Sequence, residues 1–232
     1  MNILKPQKIE VDDSCLIEED PKVLADRYTA YLHDESKISV ASISSIAFPK
    51  TEAELAYAVS KYSDFSIAAA RTGLAAASVP AEGGRLISLD KMSEIGEVVD
   101  SSISVQPGVS LEELNAYLAE NHYELFFPVD PTEWSASIGG MLATNASGSR
   151  SYYYGSIRNW VNRIRVVLAC GSVLELKRGD AVVESNTLVL EMADQKKTLN
   201  VSDIPKPNTK NTLGYSFHEG MDAIDLFIGS EG

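Results

Sequence analysis

Along the chain, apolar positions alternate between helical spacing and short continuous runs, a pattern that predicts helices and strands interleaved rather than either alone. Between residues 23 and 32, Val23, Leu24, Tyr28, Tyr31 and Leu32 fall near one helical face. A short apolar run at 45–48, closed by Pro49, predicts a strand. Thr51 and Glu54 then stand at capping-box spacing, in which each residue satisfies a backbone N–H at the start of a helix. Leu55, Ala58 and Val59 mark the buried side of the helix they open. A second apolar run, 65–70, leads into residues 72–84, rich in Gly, Ala, Ser and Pro and without either periodicity. The spacing predicts a loop there, before another strand at 86–89. A strand-helix-strand unit ending in a small-residue loop is a common seat for a phosphate-bearing ligand.

Further on, residues 98–106 read as paired short strands. Gly108 precedes a second capping box, Ser110 and Glu113, whose helix buries Leu111, Leu114, Tyr117 and Leu118. From 127 to 155 the character changes, with Pro128, Pro131, Gly139, Gly140 and a run of small and hydroxylated residues to Gly148. Such a stretch is too poor in large apolar residues for a core and too long for an idle linker. Alternation returns at 164–168, and a turn at Cys170-Gly171-Ser172 leads to 173–176, which predicts a hairpin. Residues 187–192 predict a strand, 204–208 a proline-broken loop, and 226–232 a strand ending in Gly-Ser-Glu-Gly. No internal repeat stands out.

Composition narrows the function classes. Over 232 residues, 44% hydrophobic and 23% charged content describes a globular chain of one large domain or two small ones. The net charge of −13 repels a phosphate backbone, which argues against nucleic acid as a partner. Two distant cysteines, Cys15 and Cys170, suggest neither a disulfide framework nor a zinc site, and a reducing, cytoplasmic compartment is expected. The first thirteen residues lack a basic stretch followed by an apolar one, and no apolar run reaches spanning length, so any membrane contact is expected to be peripheral. The common nucleotide-triphosphatase, nicotinamide, zincin and α/β-hydrolase signatures are absent. His33, His122 and His218 stand alone and are assigned no role; Asn145-Ala-Ser147 and Asn200-Val-Ser202 are read as ordinary tripeptides.

What remains is two small-residue loops on one α/β frame. The first is Ala69-Ala70-Arg71-Thr72-Gly73-Leu74-Ala75-Ala76-Ala77-Ser78; the second runs from Ile138 to Gly148 and is followed by Tyr154-Gly155. A dinucleotide pyrophosphate needs several backbone N–H groups converging on it, and side chains small enough to permit that approach. Both loops meet that requirement, and an elongated dinucleotide fits such a pair.

With these loops in view, the chain resembles flavoproteins of the vanillyl-alcohol oxidase and p-cresol methylhydroxylase type, particularly their D-lactate dehydrogenase and glycolate oxidase branch. The blocks that carry the resemblance stand in order over nearly all of the chain after residue 30. They are Leu32-His33-Asp34-Glu35-Ser36, Phe48-Pro49-Lys50-Thr51, Arg71-Thr72-Gly73, Gln106-Pro107-Gly108-Val109, Pro128-Val129-Asp130-Pro131, the Gly139 to Gly148 block with Tyr154-Gly155, Lys210-Asn211-Thr212-Leu213-Gly214-Tyr215, and Gly229-Ser230-Glu231-Gly232.

The resemblance implies an α+β, two-subdomain FAD-binding fold of the p-cresol methylhydroxylase type without its cap domain. A lead-in segment at 1–42 would precede a small subdomain at about 43–97 and a larger, C-terminally incomplete one at about 98–232, with FAD clasped between the subdomains. It implies non-covalent FAD, since no histidine stands in the first loop. Arg71, Thr72, Gly73 and Leu74 would lie at the pyrophosphate, and Pro131, Gly139, Gly140, Thr144, Asn145, Ser147, Gly148 and Gly155 along the flavin. Arg71, Lys210 and Tyr215 are further polar candidates near the ligand, and no catalytic residue is assigned because the base belongs to the cap. The implied reaction is oxidation of a small D-2-hydroxy acid by hydride transfer to FAD, with an electron acceptor that the sequence does not name. Relatives usually carry glycines where Ala69, Ala70, Ala76 and Ala77 stand here, and any of these in a left-handed backbone would cost about 1–2 kcal/mol. The alternative is therefore a non-catalytic or incomplete FAD-binding module with a weakened pyrophosphate loop.

Overall fold

The computed structural model describes residues 2–122, 124–192, 195–205, 207–209, 211–212 and 214–232. Two short strands that the hydrophobic pattern does not announce, β1 (Ile3–Leu4) and β2 (Leu16–Glu18), come first. In α1 (Pro21–Arg27) the Asp20 carboxylate accepts from the Lys22 and Val23 amides and so caps the first turn. The helix expected over 23–32 is cut at Tyr28, whose backbone leaves the helical region. A 3-10 turn at Thr29–Tyr31 follows, and both Tyr28 and Tyr31 pack on Phe48 with ring centroids 5.5 Å away.

β3 (Ser45–Phe48) is buried at every position. α2 (Glu52–Lys61) follows it, then β4 (Ser66–Ala68) and β5 (Arg85–Ser88). Thr51 caps α2 through the Glu54 amide, but the Glu54 carboxylate reaches past Thr51 to the Lys50 amide, so only half of the expected capping box forms. β5 inserts between β3 and β4, parallel to both, and β2 pairs antiparallel on the outer side of β3. Continuous apolar runs suit such a sheet because parallel strands are covered on both faces. Ile46, Phe48, Ala68 and Leu86 form its core with Leu24 and Ile43.

The hairpin of β6 (Ile95–Val99) and β7 (Ser102–Val105) turns through Asp100 and Ser101, both at positive φ, as a tight two-residue turn requires. α3 (Leu111–Asn121) carries the full capping box between Ser110 and Glu113, and Leu114, Leu118 and Val109 pack with Ile95, Val98, Ile103 and Val105 of the hairpin. Two short helices, α4 (Ile138–Ala143) and α5 (Ser151–Tyr154), occupy the stretch read as loop. There, tertiary hydrogen bonds rather than an apolar stripe organise the backbone.

β8 (Arg163–Val167) and β9 (Val173–Lys177) form the expected hairpin. β10 (Thr187–Glu191) sits between β1, to which it is parallel, and β11 (Lys196–Asn200), to which it is antiparallel. The strand expected at 226–232 does not form. Asp222 caps a 3-10 turn at Ala223–Leu226, and Gly229 and Glu231 then take positive φ, which an extended strand cannot accommodate.

Two compact units result. One comprises Val11–Pro128 and Thr132–Met141, so that β6, β7 and α3 group with the parallel sheet; the other comprises Met1–Glu10, Val129–Pro131 and Leu142–Gly232. Among the described residues no helix is long and apolar enough to cross a membrane.

Candidate functional site

In the first unit the loop that holds residues 71–74 leaves the carboxyl end of β4, the end at which open parallel sheets take their ligands. Ala68 pairs with Ser88 in the neighbouring strand, so the residues just past both strand ends, Arg71 and Asp90, come together. Arg71 has φ 57, and its Nη1 lies 3.4 Å from an Asp90 carboxylate oxygen. The Tyr31 hydroxyl donates to that oxygen at 2.7 Å. Burial, and then the Asp90 carboxylate, push the Tyr31 phenol up to about 12. Thr72, Gly73 and Leu74 make no backbone hydrogen bond among the described residues, a methyl at Gly73 would meet nothing within 4 Å, and the Leu74 side chain is 80% exposed. This loop therefore presents three consecutive N–H groups and an uncovered apolar side chain.

Gly139 and Gly140, in the same unit, are placed differently. The Gly139 amide donates to the Pro107 carbonyl at 2.9 Å and the Gly140 amide to Ser137 Oγ at 3.2 Å, and a Cβ on Gly139 would come within 2.6 Å of the Pro107 side chain.

The remaining candidates lie in the second unit. Asn145 has φ 50, a conformation asparagine tolerates better than most residues, and is 3% exposed. Its Oδ1 is buried without a hydrogen-bond partner among the described residues, which costs free energy unless a ligand supplies a donor. Asn145 and Gly155 line a pocket of about 460 Å³ with Tyr152, Arg158, Thr209 and Asn211. Thr144 and Ser147 flank Asn145 in sequence, and both make interactions of their own. Gly148 packs against the Asp130-Pro131 backbone, and Ser149 ties that segment down by donating from its amide and its hydroxyl to Asp130 at 3.0 and 2.9 Å. Tyr215 stacks on Phe217 with centroids 4.8 Å apart, and Lys210 lies outside the described residues.

Residues 43–177 match the FAD binding domain family. The chain belongs to that family. It is 35% identical over 96% of its length to a D-2-hydroxyglutarate dehydrogenase of Stutzerimonas stutzeri, of which it covers 42%. It is 38% identical over 45% of its length to a D-lactate dehydrogenase of Archaeoglobus fulgidus, of which it covers 24%. The chain thus spans less than half the length of either relative. Among solved structures, a chitooligosaccharide oxidase shares the fold, with a TM-score of 0.60 and 19% identity over 70% of this chain and 35% of its own.

Within the family frame, the structure supplies reasons for the small residues that sequence reasoning missed. At Gly139 and Gly148 a Cβ would strike Pro107 and Asp130 of this same chain, so glycine there serves packing rather than open access to a ligand, and Gly155 stands at φ 77, where glycine serves the backbone turn. Gly73 alone among the candidate glycines has open space around it and an ordinary backbone conformation.

Several positioning groups were also missed: Asp34, Asp90, Arg158, Arg178 and Asp225. Asp34 is 3% exposed; one of its carboxylate oxygens accepts from the Ser36 amide at 2.9 Å and the other from Ser78 at the far end of the first loop at 3.0 Å. Its place in the quoted 32–36 block was the available signal.

Of the four alanines, Ala76 alone is left-handed, at φ 60. Ala76→Gly removes that strain at some cost in unfolded-state entropy, and a net gain of about 0.5–1 kcal/mol is expected. The thermal midpoint should rise, and a midpoint that falls would show that the turn accommodates the methyl.

Proposed function

We propose that this chain is the FAD-binding portion of a flavin-dependent oxidoreductase that oxidises a small D-2-hydroxy acid, such as lactate or glycolate, with FAD held non-covalently. The observation that carries the reading is the buried Oδ1 of left-handed Asn145, without a partner among the described residues, on the wall of a pocket of about 460 Å³. An unsatisfied acceptor of this kind calls for an N–H donor from a ligand, and the polar edge of a flavin carries one. The free amides at 72–74 suit a pyrophosphate, which takes several backbone N–H groups at once. Bound FAD would supply the two-electron acceptor, while the chain's own residues hold it and exclude water. Membership of the FAD binding domain family and the two hydroxy-acid dehydrogenase relatives support the substrate class. Non-covalent attachment is favoured by the lack of histidine between residues 69 and 78, and a cytoplasmic location by two free cysteines.

Flavin bands that survive desalting of the FAD-incubated protein are the expected result, and a colourless protein would sink the proposal. Asn145→Gly keeps the backbone conformation while removing the acceptor, and should weaken FAD about fivefold, the equivalent of one net hydrogen bond of about 1 kcal/mol. Unchanged affinity would remove Asn145 from the site. Turnover of D-lactate, glycolate and D-2-hydroxyglutarate with a dye acceptor, with a cap domain supplied in trans, tests the chemistry. A second reading, a non-catalytic FAD-binding module, is favoured by the strain at Ala76 and predicts flavin binding without turnover.

A further inference from the structure

Arg71 occupies a left-handed turn at φ 57 without the conformational freedom of glycine. A residue in that region persists where its surroundings over-determine it. Here the surroundings are specific. Arg71 Nη1 donates to the Ala69 carbonyl at 2.9 Å and lies 3.4 Å from the Asp90 carboxylate, and the guanidinium covers the Tyr31 ring 4.2 Å from its centroid. The Tyr31 hydroxyl closes the triangle on Asp90 at 2.7 Å. The Arg71 carbonyl accepts from the Glu35 amide at 3.2 Å, so the backbone of the turn is tied as well as the side chain.

A guanidinium placed in this way has its charge met by a carboxylate and one face covered by an aromatic ring; its side chain is only 20% exposed. A phosphate that approached it would also approach Asp90 and be repelled. We infer that Arg71 is a positioning residue: its side chain, held by Asp90 and Tyr31, stands in for a glycine by fixing the left-handed turn that displays the Thr72, Gly73 and Leu74 amides, and it does not bind phosphate itself. The ligand in this inference, though not the turn, rests on the flavin reading above.

The test compares Arg71→Gly with Arg71→Ala in the whole chain, by FAD affinity across salt concentrations and by thermal melting without FAD. Glycine takes the turn freely and alanine does not, so Arg71→Gly should bind FAD nearly as the native chain does. Arg71→Ala carries a penalty of about tenfold. It falls on affinity if the loop relaxes without ligand, and on the melting temperature if it does not. Salt dependence should be the same in all three proteins, because no charge that meets phosphate has been removed. Asp90→Asn should weaken FAD in the native background and have no effect in Arg71→Gly.

Two variants equally weak in FAD, with a reduced salt dependence, would put the guanidinium on the phosphate and overturn the inference. If the native chain binds no FAD, the flavin reading fails and melting alone decides the turn. Arg71→Ala melting below Arg71→Gly would support the inference, and equal melting would overturn it.

Discussion

Replacing Asp225 with alanine should lower the unfolding free energy by about 3 kcal/mol, the cost of breaking one side of a largely buried ion pair. Asp225 sits in the 3-10 turn at Ala223–Leu226 with its side chain 11% exposed. Arg158 lies 2.9 Å from one carboxylate oxygen, and Arg178 donates to both oxygens at 3.2 Å. The alanine variant leaves two guanidinium groups facing each other with no anion. Arg178 is 34% exposed and regains some hydration, which places the cost at the lower end of the range for buried pairs.

The consequence reaches the candidate site because Arg158 also donates to the carbonyls of Asp225 and Ile228 and so anchors the residues that follow. Those residues fold back on the end of α4: the Gly229 amide donates to Leu142 and the Glu231 amide to Ala143. A Cβ on Gly229 would touch Asn145 at 3.2 Å, so the turn and the orphaned amide side chain share one wall. Asp225→Ala should therefore lose flavin affinity as well as stability. Urea denaturation decides the first part, and a loss below 1 kcal/mol would show the network to be no stronger than an exposed ion pair.

The sequence was most legible where structure is local. Ser110 and Glu113 form the box their spacing announces, because both partners lie within one helical turn. The buried parallel strands at 45–48 and 85–88 show as apolar runs, and the 163–177 hairpin shows as alternation around a Gly-Ser turn. Legibility failed where a contact joins residues far apart in the chain. Asp225 meets Arg158 and Arg178 across tens of residues, and no spacing rule relates them. The strand expected at 226–232 failed for the same reason: Ile228 and Gly229 look extended in composition, but their backbone is set by Arg158 and Leu142.

The candidate loops were found from their small residues, yet the reason those residues are small differs along the chain. Gly139 and Gly148 are small because the protein's own backbone fills the space, and Gly73 stands open. Arg71 and Asn145 show the converse case, non-glycine residues at left-handed positions, the first with its side chain held by Ala69 and Asp90 and the second of a type that tolerates the conformation.

The contrast between Gly148 and Gly73 gives the second large effect. A Cβ on Gly148 would lie 1.7 Å from the Asp130 carbonyl oxygen, 2.0 Å from its carbon and 2.5 Å from the Pro131 nitrogen. All three are backbone atoms, and Ser149 holds Asp130 by two hydrogen bonds, so no side chain can swing away to make room. Gly148→Ala should therefore destabilise the fold by about 3 kcal/mol, the upper end of the usual overpacking cost, and lose flavin affinity only as a consequence. Gly73→Ala meets nothing within 4 Å, and its unfolded chain has less freedom to lose, so its stability should hold or rise by about 0.5 kcal/mol. Its FAD affinity should nevertheless fall about tenfold, because a methyl beside the free amides blocks close approach of a pyrophosphate. Melting and FAD titration of the two variants separate a glycine that the fold requires from one that the ligand requires. A Gly73→Ala protein that binds FAD as the native chain does would take the pyrophosphate away from that loop. A Gly148→Ala protein that melts normally would show that the 129–131 backbone yields.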